Sequence, residues 1–334
     1  MKILRNILIL FVPVYFIVTW LRNKLYDTGI LTSQSYDVPV ICVGNLSVGG
    51  TGKTPMIEYL IRLLRDSHRL ATLSRGYKRH SKGFVLADAS ATALKIGDEP
   101  FQFFSKFNDI IVAVDANRRR GIENLLALEQ APEVILLDDA FQHRKVKAGL
   151  NILLSTYDDL YVDDMLLPTG NLREPKRGAR RADIILVTKC PTYIGETEKH
   201  LIRKKLNPQA HQAVFFSEIS YSEQVYSEKE SMLRTDLLDK QFTLVTGIAN
   251  AQPMVSFLKA NGFKFEHVNY PDHHHYSDAD IAELKKMDTI LTTEKDFMRL
   301  KGSISSDRLY YLPIETQVSN GSDLDQLIRN FAAL

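Results

Sequence analysis

The sequence predicts a mixed α/β protein built on a doubly wound, mostly parallel sheet, with a second, smaller α/β lobe after it. Short apolar runs of strand length alternate with segments of helical periodicity, which is the pattern of a parallel sheet covered by helices. The pattern loosens in a charged, serine-rich connector at residues 221–231 and then resumes. A glycine-rich turn follows the first strand-like run, and acidic residues end a later one. We therefore expect ligands to gather at the carboxyl ends of the strands.

The predicted boundaries divide the chain into three parts. Residues 1–30 are expected to form an apolar, membrane-anchoring helix, residues 31–220 the core with the larger sheet, and residues 221–334 the smaller lobe. The predicted strands of the core are residues 38–43, 70–73, 110–114, 134–137, 150–154 and 184–187. The predicted elements of the smaller lobe are strands at residues 242–246, 263–268 and 289–293 and a helix at residues 252–260.

The composition is that of an ordinary globular protein, and 334 residues leave room for two lobes. A net charge of +2 carries no signature of general polyanion binding, so we expect no nucleic-acid partner. Cys42 and Cys190 lie far apart in apolar runs and are predicted to be buried free thiols in a reducing cytosol. We expect the chain to act as a monomer.

An almost wholly apolar run at residues 7–20 lies near the start of the chain, with basic residues on both sides. Its length of about 14 residues falls short of the ~20 that a helix needs to span a bilayer. No small-residue cleavage site of a signal peptide follows, and Pro13 is expected to kink a spanning helix. The favoured prediction is a monotopic helix that dips into one leaflet. A true span and a buried core helix are the alternatives.

The most specific motif is the turn at residues 47–54, between a predicted strand and a predicted helix. Backbone N–H groups of such a turn, together with the helix N-terminus, bind phosphate. Lys53 is placed to reach the β- and γ-phosphates, and the Thr54 hydroxyl to bind Mg²⁺. Ser47 stands where the usual pattern has its first glycine. The residues predicted to bind nucleotide here are Gly49, Gly50, Thr51, Gly52, Lys53 and Thr54.

Two acids end the apolar run at residues 134–137, namely Asp138 and Asp139. A buried strand that ends in this way supplies a carboxylate to the Mg²⁺ of P-loop enzymes. The pattern is weak alone and becomes persuasive downstream of the glycine-rich turn. Gln142 and His143 follow; their side chains either contact phosphate or water or belong to a capped loop.

Three further positions carry possible chemistry. Asp98 begins a predicted helix, so a helix N-cap and a base that takes a proton from an attacking hydroxyl both fit, and the local chemistry favours the cap. Arg173 lies in a turn-rich loop, from which an arginine finger is able to stabilise a transferring phosphate. Lys189 follows the strand at residues 184–187, and its stem is placed to lie along a nucleotide base.

Three adjacent histidines, His273, His274 and His275, suggest a metal site at first sight. Adjacent side chains rarely converge on one ion, and no cysteine lies nearby, so structural zinc is disfavoured. We expect instead that one of the histidines reaches a site between the two lobes.

Taken in order, these stretches resemble the lipid A 4′-kinases, the tetraacyldisaccharide 4′-kinase (LpxK) family. The matching stretches are Val-Gly-Asn at 43–45, Gly-Gly-Thr-Gly-Lys-Thr-Pro at 49–55, Ser-Arg-Gly-Tyr at 74–77, Gly-Asp-Glu-Pro at 97–100, Asp-Asp-Ala-Phe-Gln-His at 138–143, Pro168, Gly-Asn-Leu-Arg-Glu at 170–174, Asp-His-His at 272–274 and Thr-Glu-Lys-Asp at 293–296. They run over nearly the whole chain. Ser47 is no departure in this family, whose loop has the form GN-x-x-VGG-[TS]-GKT.

The resemblance implies ATP- and Mg²⁺-dependent phosphorylation of the 4′-hydroxyl of a tetraacylated glucosamine disaccharide 1-phosphate, giving lipid IVA. It favours Asp98 as the catalytic base over Asp98 as a helix cap. It also implies that a histidine of the second lobe assists Asp98; this histidine corresponds to His273, and His274 is the alternative. The predicted catalytic residues are thus Asp98, His273, Lys53 and Arg173. The predicted metal ligands are Thr54, Asp138, Asp139 and Glu174. The predicted nucleotide contacts beyond the loop are Gln142, His143 and Lys189.

A membrane-embedded lipid A precursor as substrate implies work at the membrane surface, on the cytoplasmic face of the inner membrane of a Gram-negative-type bacterium. The basic side chains of Arg75, Lys78 and Arg119 are candidates for binding the substrate's 1-phosphate.

The alternative function is a membrane-associated P-loop GTPase or ATPase switch that acts on a protein partner. A guanine-binding motif would have an aspartate shortly after Lys189. The residues that follow are Cys190 and Pro191, which argues against guanine recognition. A nucleotide-binding scaffold without catalysis is the third class.

Overall fold

The computed structural model describes residues 8–272 and 274–334, which form two sheets of nine and six strands with helices on their faces. The helices are α1 (Val12–Asp27), α2 (Lys53–Leu64), α3 (Ala93–Ile96), α4 (Asp98–Lys106), α5 (Arg118–Leu126), α6 (Glu196–Leu206), α7 (Gln252–Ala260), α8 (Asp278–Leu284), α9 (Glu294–Leu300) and α10 (Gly321–Ala332). Short 3₁₀ turns occupy Leu8–Phe11, Lys176–Arg181 and Arg234–Leu237.

The larger sheet has the order β15-β8-β7-β6-β1-β5-β2-β4-β3, and the smaller sheet the order β10-β9-β14-β13-β11-β12. The strands before the connector are β1 (Val40–Asn45), β2 (Leu70–Ser74), β3 (Val85–Leu86), β4 (Ile111–Val114), β5 (Val134–Asp138), β6 (Leu150–Thr156), β7 (Ile184–Thr188) and β8 (Ala213–Tyr221). The later strands are β9 (Gln224–Tyr226), β10 (Ser231–Leu233), β11 (Gln241–Thr246), β12 (Lys264–Asn269), β13 (Ile290–Thr292), β14 (Leu309–Tyr311) and β15 (Ile314–Val318).

The strands of the larger sheet from β8 to β4 run parallel to their neighbours, and only its two edge strands, β15 and β3, are antiparallel. Helices pack on both faces, so the predicted doubly wound, mostly parallel sheet is confirmed. In the register of β1 and β5, Val43 lies opposite Asp138. The turn that follows β1 and the acids that end β5 therefore leave the sheet side by side.

Alternating side chains of β1 pack into two different cores. Ile41 and Val43 lie in one buried cluster with Met56 and Leu60 of α2, whereas Cys42 lies in the cluster of the opposite face. Met56 and Leu60 are spaced by four residues and are both fully buried. Burying a large aliphatic side chain contributes about 1.5–3 kcal/mol. This packing fixes the start of α2 against the end of β1.

The end of the chain returns to the larger sheet. β15 pairs antiparallel with β8, and α10 buries Leu324 and Ile328 in the same cluster as α2. Residues from 314 onward therefore belong to the larger sheet and not to the smaller lobe, to which the sequence assigned all of residues 221–334. The connector at residues 221–231 is also structured, because it contains β9 and the first residue of β10.

The two lobes share a buried cluster where α4 of the core faces α9 of the smaller lobe. Ile96 and Phe101 lie in this cluster with Phe297 and Leu300. All four side chains are at most 9% exposed. The contact fixes the first turn of α4 with respect to α9.

Helix α1 is longer than the apolar run that predicts it. Leu8–Asp27 forms 20 residues of helix with a mean hydropathy of 1.4 in its most apolar window, which is long and apolar enough to cross a membrane by length and composition. Pro13 lies in the first turn of α1, directly after the 3₁₀ turn at Leu8–Phe11, where its missing N–H removes no hydrogen bond of the helix. The exposed apolar side chains of α1 and the turn before it include Leu10, Phe11, Val14, Ile17, Val18 and Trp20.

Candidate active site

The turn after β1 has the backbone of a phosphate-binding loop. Gly49 and Gly52 have φ angles of 118° and 89°, in the left-handed region that glycine adopts without steric cost. Lys53 is the first residue of α2, so the N–H groups of the loop and the positive end of the helix face the same ligand position. Thr188 Oγ1 at the end of β7 donates to the carbonyl of Thr51 at 2.8 Å, which fixes the loop from the other side.

Asp138 ends β5 next to this loop. Its side chain is 7% exposed and accepts a hydrogen bond from Ser74 Oγ at 3.2 Å. Burial, reinforced by the neighbouring carboxylate of Asp139, raises the pKa of Asp138 to about 6. A buried carboxylate is a suitable ligand for a cation. Thr54, in the first turn of α2, places a hydroxyl oxygen at the same end of the sheet.

Asp139 holds two positive side chains at the mouth of the loop. Arg173 Nη1 donates to both carboxylate oxygens of Asp139, at 2.9 and 3.1 Å, and Lys53 Nζ lies 3.8 Å from Oδ1. The three side chains are between 17% and 32% exposed, so solvent reaches the cluster. The structure thus brings together three of the residues that the sequence assigned to one site.

Glu174 is fully buried, although the sequence assigned it to the metal. Its Oε1 accepts hydrogen bonds from Gln142 Nε2 at 3.0 Å and from Arg181 Nη2 at 2.8 Å. Its Oε2 accepts from Asn23 Nδ2 at 2.7 Å. Three donors therefore occupy this carboxylate, and one of them comes from α1.

Helix α1 is bound to the loop that carries Arg173. The Tyr15 hydroxyl donates to the carbonyl of Arg173 at 2.9 Å, eight residues before the contact between Asn23 and Glu174. Arg144 Nη1 donates to the carbonyl of Asn23 at 2.9 Å. The helix thus presents a polar side to the active-site loop while its apolar side chains are exposed.

Gln142 and His143 lie just beyond the acids of β5. Gln142 Nε2 donates to the carbonyl of Asn45 at 2.8 Å, which joins this segment to the end of β1. His143 Nε2 is enclosed and has no hydrogen-bond partner among the described residues. Burial and the nearby Arg118 lower the pKa of His143 to about 4, so its ring is neutral at pH 7.

Lys189 lies across the phosphate-binding loop. Its backbone is left-handed, with φ of 58°, and its Nζ donates to the carbonyl of Gly50 at 2.6 Å. Burial lowers the pKa of the Lys189 ammonium group. The side chain therefore reaches from the end of β7 to the loop that binds phosphate.

Asp98 is the first residue of α4, and Gly97 occupies the N-cap position. The interpretation of Asp98 as the N-cap is therefore wrong. Gly97 has a φ of 100°, and a Cβ on it would lie 3.1 Å from the Cα of Gly76. This close approach sets Asp98 beside the loop after β2, and Ser74 at the end of β2 contacts Asp138.

Arg299 of α9 holds Asp98 from the smaller lobe, with its Nη2 donating to Asp98 Oδ2. Lys295, one turn earlier, pairs with Glu99 at 2.7 Å. Two adjacent acids on α4 thus meet two basic residues on one face of α9. Arg299 was not predicted from the sequence, although its spacing of four residues from Lys295 puts both side chains on the same face of a helix.

Of the two histidines considered as assistants of Asp98, the structure describes only His274. His273, assigned by the sequence to assist Asp98, lies outside the described residues. His274 Nε2 is 3.0 Å from Asp280 Oδ2, and its ring stacks on Tyr270 with centroids 4.6 Å apart. Within residues 8–272 and 274–334, no group of three or more His, Cys, Asp or Glu side chains is arranged to hold a metal.

The basic residues considered for the substrate's 1-phosphate lie at the surface. Arg75 and Lys78 are exposed in the loop after β2. Arg119 is paired along its own helix with Glu123 at 3.0 Å. Arg75 and Lys78 therefore lie on the same loop that contacts Gly97, whereas Arg119 already has a partner.

Phosphate-binding loops occur in switches and scaffolds as well as in kinases, so the loop alone does not separate these classes. The site also contains the first turn of α4, which carries Asp98 and which Arg299 of the smaller lobe contacts. The fold and the site together define a P-loop kinase. Residues 4–333 match the model of the family described as tetraacyldisaccharide-1-P 4′-kinase (LpxK), and the chain belongs to that family.

Known relatives are similar over nearly their whole length. The tetraacyldisaccharide 4′-kinase of Flavobacterium johnsoniae is 53% identical over 323 residues, which cover 96% of this chain and 94% of the relative. That of Bacteroides fragilis is 47% identical over 321 residues, covering 89% and 85%. The solved structure of LpxK from Aquifex aeolicus in complex with ATP superposes with a TM-score of 0.81 at 32% identity and covers 98% of this chain and 99% of that one.

Family membership defines the reaction class. The chain is a tetraacyldisaccharide 4′-kinase of lipid A biosynthesis, an enzyme that acts on a lipid and binds ATP. The alternative of a GTPase or ATPase switch is not favoured. The predicted fold class is confirmed by the match to the Aquifex structure and by the apolar helix α1.

Proposed function

We propose that Asp98 is the base that accepts the proton of the 4′-hydroxyl, and that Lys53 and Arg173 bind the transferring phosphate. Thr54 and Asp138 are the protein ligands of Mg²⁺ in this proposal. The observation that carries it is that one carboxylate, Asp139, contacts both Lys53 and Arg173 at the end of β5, where the phosphate-binding loop lies next to Asp138. Phosphoryl transfer depends on positioning and charge neutralisation, and this arrangement supplies both.

The residues present fit Mg²⁺. This ion prefers oxygen ligands and is usually held by one or two carboxylates together with phosphate oxygens. Asp138 offers a buried carboxylate whose raised pKa reflects an unfavourable environment for an unpaired charge. When bound, the ion supplies charge neutralisation to the phosphates. Asp139 adds a nearby negative charge, and Glu174 orients Gln142 and the Arg173 loop from behind.

The proton leaves the sugar hydroxyl for a carboxylate that the smaller lobe orients. Arg299 holds one oxygen of Asp98, and the contact of α4 with α9 fixes the direction of the side chain. We assign the assisting role to His273, because the ring of His274 is engaged with Asp280 and Tyr270. The smaller lobe, residues 221–313, is in this proposal the part that completes the site.

The nucleotide contacts follow from the same geometry. The loop residues 49–52 provide N–H groups, Gln142 and His143 border the phosphates, and Lys189 spans from the loop toward the base. One chain contains every residue named, and we propose that it acts as a monomer.

Helix α1 is proposed to place the site at the membrane. Its exposed apolar side chains would enter the lipid while its polar side remains bound to the Arg173 loop. The acyl chains of the substrate then stay in the bilayer as its head group reaches the site. Since the site uses ATP, the membrane face is the cytoplasmic side of the inner membrane.

Acidic substitutions on the apolar side of α1 are expected to release the protein from membranes. The double variant Val14→Asp/Val18→Asp changes two side chains that are each 61% exposed. Binding to phospholipid vesicles should fall at least tenfold, about 1.4 kcal/mol, in a sedimentation assay. Transfer in detergent micelles should stay near wild type. Leu201→Asp, at a similarly exposed position on α6, is the control, and undiminished sedimentation of the double variant would count against the anchor.

A substitution on the polar side of the same helix should give the opposite result. Asn23→Leu leaves the buried Oε2 of Glu174 without its hydrogen-bond donor, which costs about 1–3 kcal/mol. The cost destabilises the conformation of the loop that carries Arg173. We expect vesicle binding to be kept and kcat in micelles to fall by about tenfold or more. An unchanged kcat would mean that α1 anchors the protein without positioning the loop.

Transfer of label from γ-labelled ATP to a tetraacyldisaccharide 1-phosphate in micelles, with and without Mg²⁺, tests the function directly. Labelled lipid that requires Mg²⁺ is the expected result. Release of phosphate to water with no labelled lipid would favour the switch, and binding of ATP without turnover would favour the scaffold.

A further inference from the structure

A buried ionic cluster joins three helices that carry residues of the candidate active site. Lys106, the last residue of α4, places its Nζ 2.7 Å from Glu58 Oε2 of α2 and donates with the same group to Glu294 Oε1 of α9. The side chains of Glu58 and Glu294 are 1% and 6% exposed. None of these three residues has a part in the chemistry proposed above.

Helix α4 supplies donors to Glu58 from two successive turns. Gln102 Nε2 donates to Glu58 Oε1 at 2.8 Å, and Lys106, four residues later, donates to Oε2. Arg62 Nη2 also donates to Oε2, at 2.9 Å, but this pair lies within α2. Lys106 is therefore the cation that connects all three helices.

The charge of Lys106 holds two carboxylates together. Burial opposes this charge, but Glu294 and Glu58 outweigh the burial and raise the pKa of the Lys106 ammonium group. Burial and the neighbouring Glu58 raise the pKa of Glu294 to about 7, as expected for two acids that repel each other away from solvent. The close approach of α2 and α9 at this point thus depends on the cation between them.

Apolar contacts hold the same helices together independently of these charges. Phe103 of α4 lies in one buried cluster with Leu60 of α2. Phe101 of α4 lies in another with Phe297 of α9. Such packing is non-directional, and buried ion pairs contribute little net stability because desolvation offsets their attraction. What the ionic cluster adds is a set of hydrogen bonds of fixed length and direction, which restrict the relative positions of the helices.

Each of the three helices carries a group of the candidate active site. α2 begins with Lys53, α4 begins with Asp98, and α9 carries Arg299, which contacts Asp98. Glu58 lies five residues after Lys53, about 7.5 Å along the helix axis, and Lys106 lies eight residues after Asp98, about 12 Å. Helices of this length bend little, so a shift at the cluster moves the first turn of α4 with respect to the phosphate-binding loop.

We propose that Lys106 is a positioning residue for phosphoryl transfer, which sets Asp98 at its working distance from the phosphate-binding loop by binding Glu58 and Glu294 together. It acts through Asp98 and needs no contact with either substrate. The inference rests on the proposed function, because it takes Asp98 as the base. A misplacement of about 1 Å that originates far from the chemistry lowers a rate by about 10²-fold, so the cluster should affect kcat measurably.

The test uses the double variant Lys106→Met/Glu294→Gln, which removes one cation and one acid together. Glu58 keeps Arg62 and Gln102 as its donors, so no buried charge is left unpaired. We expect kcat for lipid transfer in micelles to fall by at least about tenfold. ATP affinity in titration and KM for the lipid should change by less than about threefold, because the loop N–H groups are intact. Circular dichroism verifies that the protein is folded at the assay temperature, where a residue that only stabilises the fold would leave kcat unchanged.

Arg62→Met is the matched control. It removes the other cation on the same oxygen of Glu58, but the lost pair joins two residues of one helix. Its kcat should stay within about threefold of wild type, since an i,i+4 pair contributes little. A loss as large as that of Lys106→Met/Glu294→Gln would show that the charge on Glu58 matters rather than the bridge, and would overturn the proposal.

Asp98→Asn distinguishes a failure of this inference from a failure of the proposed function. If Lys106 acts through Asp98, the Lys106→Met/Glu294→Gln changes will cost little more in an Asp98→Asn background, and the two losses will not add. Losses that add, or an unchanged kcat in Lys106→Met/Glu294→Gln alone, would overturn the positioning role while Asp98 remains the base. An Asp98→Asn enzyme that kept its rate would instead overturn the proposed base.

Discussion

Replacing Asp98 with asparagine is expected to lower kcat by about 10²–10⁴-fold while ATP affinity stays the same, because a positioned general base contributes a factor of this size. Asparagine keeps the shape of the side chain, and its amide oxygen still accepts from Arg299, so the contact between α4 and α9 survives. The substitution removes the capacity to accept a proton and the negative charge that faces Arg299. The measurement is label transfer to lipid in micelles at saturating ATP, with ATP affinity measured by titration.

The neighbouring acid provides a matched control. Glu99→Gln removes the adjacent charge and weakens the ion pair with Lys295, which is about a quarter to a third exposed. A partly exposed pair of this kind contributes about 0–1 kcal/mol, so the rate should change by less than about fivefold. If Asp98→Asn retained more than a tenth of the wild-type kcat, Asp98 would be a residue that joins the lobes and some other group would take the proton.

The strands and several helices were predictable because their signals are local. Helix α7 spans the predicted residues 252–260, and β6 and β7 begin at the predicted residues 150 and 184. A buried parallel strand has to be apolar on both faces, so its residues stand out within a window of five. The glycine-rich turn was equally visible, since its positive φ angles at Gly49 and Gly52 demand the residue that occupies them.

The features that were missed depend on partners distant in the sequence. β15 pairs with β8, which ends about 90 residues earlier, and no local pattern tells which sheet a short strand will join. Arg299 and Asp98 are 201 residues apart, so only the folded chain shows that they meet. The same holds for Asn23 and Glu174, whose hydrogen bond turns an apolar helix into part of the active site. Short edge strands such as β3, with two residues, have no period to detect.

Replacing Arg173 with alanine is expected to lower kcat by about 10³–10⁵-fold, the range found where an arginine stabilises the charge of a transferring phosphate. ATP affinity should fall far less, because Lys53 and the loop N–H groups remain. Arg173→Lys should recover only a small part of the rate, since Arg173 Nη1 contacts both oxygens of Asp139 and lysine does not reproduce a planar guanidinium. Arg177→Ala, an exposed arginine of the same segment, is the control and should be neutral.

The loss of activity in Arg173→Ala has to be interpreted together with the role of Asp139, which contacts Arg173. In the structure its carboxylate neutralises Arg173 and Lys53, so a bound phosphate has to compete with it for both cations. If Asp139 acts by holding Arg173 in place, Asp139→Asn will cost much less in the Arg173→Ala background than alone, and the two losses will not add. If Asp139 instead contributes directly to the metal, as the sequence suggested, the losses will add and the Mg²⁺ requirement of the single Asp139→Asn variant will rise. Rates measured over a range of Mg²⁺ concentrations for the four proteins of this cycle separate a carboxylate that positions the arginine from one that binds the metal.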